Sequence, residues 1–167
     1  MISGNVSRTG RSVDGALGGL TPVAAVDLTA PHLIVRLTSA AVAYYVGFDS
    51  LSLRVAADMR LEVYALLIPT LTSVVGGVSR PFKNALASGN DPTGIECLEL
   101  PAISFPAGSG RHILHRVIPP GIGNLLSPVE AVHLTALKGL NSGVAYWFVS
   151  ATATGEAVYT LRADRVQ

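Results

Sequence analysis

The most strand-like part of the sequence is its final stretch, GVAYWFVSATATGEAVYTLRADRVQ, residues 143–167. Its first part, VAYWFV at 144–149, is apolar at every position. In an extended chain alternate side chains point to opposite faces, so Val144, Tyr146 and Phe148 share one face and Ala145, Trp147 and Val149 share the other. A strand that is apolar on both faces is covered on both faces. The sequence therefore predicts a fully buried strand here.

A second strand follows the turn ATATGE. In AVYTLRADRV, residues 157–166, the apolar set Ala157, Tyr159, Leu161 and Ala163 alternates with Val158, Thr160, Arg162 and Asp164. This period of two predicts a strand with one exposed face. In Greek-key folds the last strands pair with early ones, so we expect both strands to lie inside sheets.

Further strands are predicted upstream. They are HLIVRLT at 32–38, AVAYYVGF at 41–48, SLSLRVA at 50–56, RLEVYALLIP at 60–69, IECLELPAISF at 95–105 and RHILHRVI at 111–118. Pro69 ends the fourth and Pro101 interrupts the fifth, because proline has no N–H for the ladder. Residues 76–94 are predicted to be a long loop, with a short helical turn at 82–87.

One segment, SPVEAVHLTALKG at 127–139, carries helix signals. Ser127 is a candidate N-cap, Pro128 occupies the first helical position and Glu130 completes a capping box. Lys138 and Gly139 are stop signals. A strand over AVHLTALKGL, residues 131–140, is the alternative that the pattern leaves open.

About eight short strands with Pro- and Gly-rich turns predict an all-β fold. The specific expectation is an eight-stranded jelly-roll β-sandwich with a short helix. Residues 1–22 are rich in Gly and Ser and are predicted to be a flexible N-terminal arm, which leaves 23–167 as the jelly-roll domain.

Charged residues make up only 14% of the 167 residues, where about 25% is usual. Few ionic side chains are available to cover a lone folded copy, so we expect copies to cover one another. The net charge of +1 gives no general attraction to nucleic acid or anionic membranes. We expect neither a signal peptide nor a membrane span, and the single Cys97 is expected to be a buried hydrophobe.

The candidate site residues are Arg111, His112, His115 and Arg116 in RHILHR. Residues three apart on a regular strand face opposite ways, so the two histidines are not expected to share a metal ion. The simpler interpretation is a solvated or interface strand, and the sharper one is a pH-sensitive contact with phosphate. In the arm, Arg8 and Arg11 against Asp14 give only a faintly basic charge. No catalytic spacing is found, so we expect no enzyme activity, no metal and no cofactor.

Two stretches, LEVYALLIPTLTS at 61–73 and YWFVSATATGEAVYTLRADRV at 146–166, resemble coat proteins of small icosahedral, tymovirus-like plant viruses. The resemblance implies a single jelly roll that assembles in many copies around single-stranded RNA. It also makes Arg8 and Arg11 of the arm candidate contacts with that RNA. It also implies that the chain resides in a virion assembled in the host cytoplasm. The alternatives are a trimeric jelly-roll binding or fibre module and a small β-barrel ligand-binding protein or enzyme.

Overall fold

The computed structural model describes residues 11–20, 26–54, 61–84, 92–118, 135–150 and 155–166. Side chains are described at 26–48, 62–83, 92–110, 135–149 and 158–166. Every regular element in these ranges is a strand, so the described part of the chain is all-β. The strands are β1 Arg11–Leu20, β2 Leu33–Leu37, β3 Ala43–Arg54, β4 Leu61–Ile68, β5 Ser73–Val75, β6 Val78–Arg80, β7 Lys83–Asn84, β8 Ile95–Glu99, β9 Ala102–Ser104, β10 Arg111–Ile118, β11 Thr135–Lys138, β12 Gly143–Ser150 and β13 Gly155–Arg165.

The strands form antiparallel sheets in which adjacent strands are mostly distant along the chain. A six-stranded sheet has the order β10-β4-β12-β2-β8-β6, and a five-stranded sheet has the order β11-β3-β13-β1-β7. A small third sheet pairs β5 with β9. The two closing strands are internal, since β12 lies between β4 and β2 and β13 lies between β3 and β1. The expectation that late strands pair with early ones is confirmed.

Two apolar clusters cover the two faces of the six-stranded sheet. The first, which we call the central core, draws side chains from both large sheets, with Val144, Tyr146 and Phe148 from β12 and Tyr159 and Leu161 from β13. The second, which we call the outer core, contains Ala145 and Trp147 from β12 and is completed by residues near β5 and β9 such as Leu71 and Ile103. These side chains of β12 are all buried, so the predicted two-sided burial of this strand is confirmed.

Several segments differ from the expectation. Within the predicted arm, residues 11–20 form β1 and pair with β13 along its length. The runs predicted at 41–48 and 50–56 are joined in the single 12-residue strand β3. Strands β6 and β7 lie inside the predicted loop, and β8 and β9 belong to different sheets.

The helix predicted at 127–139 is contradicted over its last residues. Residues Thr135–Lys138 form β11, which pairs with β3, and residues 127–134 lie outside the described part. Leu137 is buried in the central core while Ala136 and Lys138 are exposed, so this segment follows a period of two. The strand alternative is correct at these four positions, because pairing with β3 outweighs the local helix signals.

Candidate interaction surfaces

The four candidate site residues lie on β10, at one edge of the six-stranded sheet. Among the described strands β10 has one neighbour, β4. An edge strand exposes backbone groups that can pair with another chain, and charged residues on such a strand discourage that pairing. The placement of Arg111, His112, His115 and Arg116 at an edge is compatible with the solvated and the interface interpretations alike.

A register shift in β10 changes the relation between its two histidines. His112 lies opposite Leu66 and His115 lies opposite Tyr64, because the register shifts between His112 and Leu114. Leu66 and Tyr64 are two residues apart on β4 and both pack against the outer core. Strict alternation, which was the reason for separating the histidines, is therefore interrupted between them.

The two arm arginines have different positions relative to the described residues. Arg11 begins β1 and lies in register with Ala163 of β13 and Asn84 of β7. Arg8 lies outside the described residues. The proposed RNA contact of Arg11 would therefore be made from a sheet rather than from a free arm.

Three exposed apolar residues lie in the region where β5, β6, β8 and β9 meet. Val75, Val78 and Leu100 are 65%, 54% and 62% exposed. Val78 is in register with Glu99, and Val75 with Ala102, so both valines flank the turn that carries Leu100. We call these three residues the apolar knob.

Leu100 has a left-handed backbone conformation, with φ of 52°. Bulky residues rarely adopt this region, and where they do the surrounding structure holds them there. Here the Leu100 N–H donates to the carbonyl of His32 at 2.8 Å. The pairing of β8 with β2 and of β9 with β5 fixes the residues on both sides. The turn thus presents an apolar side chain to solvent from a fixed backbone.

An apolar pocket opens beside β4 and β12. Its lining side chains include Val26, Leu28, Tyr64, Leu66 and Trp147, and its volume is about 180 Å³. The two polar groups on these side chains are engaged elsewhere. The Trp147 indole N–H donates to the Asp27 carbonyl at 2.9 Å, and the Tyr64 hydroxyl lies 2.5 Å from Glu62 Oε2. The pocket therefore suits an apolar occupant.

A polar network that the sequence analysis missed lies between the two large sheets. Glu99 Oε1 accepts a hydrogen bond from the Tyr159 hydroxyl at 2.5 Å, and Glu99 Oε2 lies 2.9 Å from Arg80 Nη2. The Glu99 side chain is nearly buried, so this pairing satisfies a carboxylate that would otherwise be costly to bury. The sequence does contain a signal for the buried Glu99. Ile95, Cys97 and Glu99 alternate along β8, and the first two are inward-facing apolar residues.

Burial shifts the ionisation of several groups away from their ordinary behaviour. It raises the pKa of the Cys97 thiol. It also raises the pKa of the Tyr159 hydroxyl, and the hydrogen bond from that hydroxyl to Glu99 raises this pKa further. Cys97 is fully buried, as predicted, and is a protonated thiol at neutral pH. Burial also lowers the pKa of His32, whose Nδ1 accepts a hydrogen bond from the Phe148 N–H at 3.1 Å.

The part of the chain described here has no cluster of three His, Cys, Asp or Glu side chains placed to hold a metal ion. None of its elements is a helix long and apolar enough to span a membrane. No protein-family model, curated protein or solved structure matches the chain. The surfaces themselves are thus the basis for a functional proposal.

Proposed function

We propose that this chain is a structural subunit that self-assembles as a coat protein into a closed icosahedral shell around single-stranded RNA. On this proposal the fold is a jelly-roll β-sandwich, the shell is a virion assembled in the host cytoplasm, and the activity is association rather than catalysis. The observation that carries the proposal is the apolar knob on a chain with few charged residues. Apolar side chains that are exposed side by side are typical of surfaces that contact other proteins.

The strand order supports the jelly-roll part of the proposal. The run β10-β4-β12-β2 contains no two strands that follow each other along the chain. Such interleaving is produced by Greek-key winding, from which jelly rolls are built. The central core, with side chains from both large sheets, is the arrangement that a sandwich requires.

Assembly would remove apolar surface from water at about 25 cal/mol per Å². Repetition of a weak contact over many copies stabilises a closed shell without any single strong interface. Because the net charge is +1, RNA charge would be neutralised largely by small cations and by local groups such as Arg11 and the basic residues of β10.

The test is size-exclusion chromatography of the purified chain, followed by electron microscopy of the leading fraction. We expect large closed particles, with an absorbance ratio at 260 and 280 nm that reveals packaged nucleic acid. Trimers would favour the fibre or binding module instead. A monomer or dimer in the same buffer would contradict assembly.

A second candidate function, binding of a small apolar ligand, is favoured by the apolar pocket. A cavity of about 150 Å³ with apolar walls is large enough to bind benzene, and this pocket has a volume of about 180 Å³. A ligand-binding protein would be monomeric or dimeric, and the fluorescence of Trp147 would respond to a single-ring aromatic probe. Assembly without such a response would exclude this second function.

A further inference from the structure

The apolar knob and the apolar pocket are complementary features of one chain. The knob projects Leu100, which is 62% exposed, from a fixed turn. The pocket volume of about 180 Å³ exceeds the roughly 150 Å³ cavity that one leucine-to-alanine change leaves in a protein core. A leucine side chain therefore fits in the pocket by volume.

The knob of a copy does not fill that copy's own pocket. None of the three knob residues lines the pocket, and each is more than half exposed within the single chain. The pocket also offers no free hydrogen-bonding group on Tyr64 or Trp147. An apolar side chain is consequently the occupant that these walls favour.

We propose that the apolar knob of one copy inserts Leu100 into the apolar pocket of the next copy. This inference rests on the proposed self-assembly and specifies one of its contacts. The contact joins two different surfaces, so it is head-to-tail rather than self-complementary. Contacts of this type build closed rings or continuing arrays, whereas a self-complementary contact stops at a dimer.

Two variants separate the two halves of the contact. Leu100→Asn removes the apolar knob with a residue that accepts the left-handed conformation, so the turn is preserved. Leu28→Glu places a carboxylate at the pocket, at a position that is 50% exposed. Leu140 is 51% exposed and belongs to neither feature, so Leu140→Asn and Leu140→Glu are the matched controls.

Assembly is measured by sedimentation velocity over a concentration series, with circular dichroism to verify that each variant is folded. We expect each single variant to raise the concentration for half-assembly at least about tenfold, a factor that corresponds to about 1.4 kcal/mol. The Leu140 variants should assemble like the wild type. Monomeric wild type would overturn the proposed function itself, and the inference with it.

Mixing the variants tests the pairing directly. The Leu100→Asn copy keeps its pocket and the Leu28→Glu copy keeps its knob, so an equimolar mixture should form a one-to-one pair that neither variant forms alone. If the wild type assembles and both variants assemble equally well, the inference is wrong while the proposed function stands. Absence of the one-to-one pair from the mixture would also overturn the inference.

Discussion

At the residue scale, two adjacent glycines separate two reasons for which a position requires glycine: lack of space for a Cβ and a left-handed backbone conformation. Gly76 and Gly77, between β5 and β6, both have positive φ, at 67° and 85°. A Cβ at Gly76 would meet nothing within 4 Å, whereas a Cβ at Gly77 would lie 2.9 Å from the backbone oxygen of Glu99. Glycine is required at Gly77 for close packing as well as for conformation.

We expect Gly77→Ala to lower the free energy of unfolding by about 3 kcal/mol, because the backbone of β8 must move to admit the methyl group. Gly76→Ala is the matched control. It should cost about 1–2 kcal/mol, since only the left-handed conformation opposes it. Urea denaturation of both variants measures the difference, and equal losses would contradict the close packing at Gly77.

Two buried tyrosines allow a second comparison, between a hydroxyl that has a hydrogen-bond partner and one that has none in the described part of the chain. The Tyr159 hydroxyl donates to Glu99, whereas the Tyr146 hydroxyl is buried without a hydrogen-bond partner among the described residues. We expect Tyr159→Phe to cost about 2 kcal/mol, because the Glu99 carboxylate loses a donor in the core. Tyr146→Phe should be neutral or stabilising by up to about 1 kcal/mol. Chemical denaturation at neutral pH decides, and a larger loss for Tyr146→Phe would refute the network.

His32 should make the stability of the fold depend on pH. Burial depresses its pKa below the ordinary value of 6.5, so the unfolded chain takes up a proton before the folded chain does. Stability is therefore lost as the pH falls from 6.5 toward the depressed pKa. Protonation also removes the acceptor at Nδ1 that the Phe148 N–H uses.

We expect His32→Asn, which retains an acceptor without titrating, to reduce the loss of stability between about pH 8 and about pH 5. The measurement is the free energy of unfolding at a series of pH values for both proteins. Comparing the two pH profiles cancels the titration of other groups. If the two profiles have the same slope, His32 is not the source.

At the element scale, the spacing of apolar residues predicts a strand when each of its faces is clearly buried or clearly exposed. The pattern of β12 is explicit because both of its faces are buried, and β4 ends one residue before Pro69 as predicted. Strand β1 is not predictable from RSVDGALGGL, because that sequence has no apolar alternation. Its extended conformation comes from pairing with β13. The end of the predicted helix was misassigned because the stop signals at Lys138 and Gly139 also suit the end of a strand, and pairing with β3 is not visible in the local sequence.

For the candidate residues on β10, too, the local sequence predicts the strand but not its pairing. Their strand was predictable from RHILHRVI, but the register shift between His112 and Leu114 was not, because a bulge depends on the partner strand. The knob and the pocket were likewise invisible in the sequence. Each combines residues from segments that are distant along the chain, so only the fold brings them together.

We expect the double substitution of His112 and His115 by Ala to shift the pH dependence of particle stability. Histidine changes charge near neutral pH, and two such residues beside Arg111 and Arg116 would strengthen contacts with phosphate or carboxylate groups when protonated. Light scattering of assembled particles over a pH series measures the effect. An unchanged profile would end the pH-sensitive interpretation of β10.

At the scale of the whole molecule, the low charge content and the knob lead to the same expectation. A chain with 14% charged residues leaves apolar side chains such as Val75, Val78 and Leu100 in contact with water when it is alone. Association of copies removes this surface from water, and shared burial is a general source of stability in assemblies.

The most direct test of self-assembly is the mass of the wild-type particle in ordinary buffer, measured by sedimentation velocity as the concentration is raised. We predict a cooperative change from single chains to one large closed species. A chain that stays monomeric at high concentration would contradict it, because its sparse charges would then be sufficient to keep a lone copy in solution.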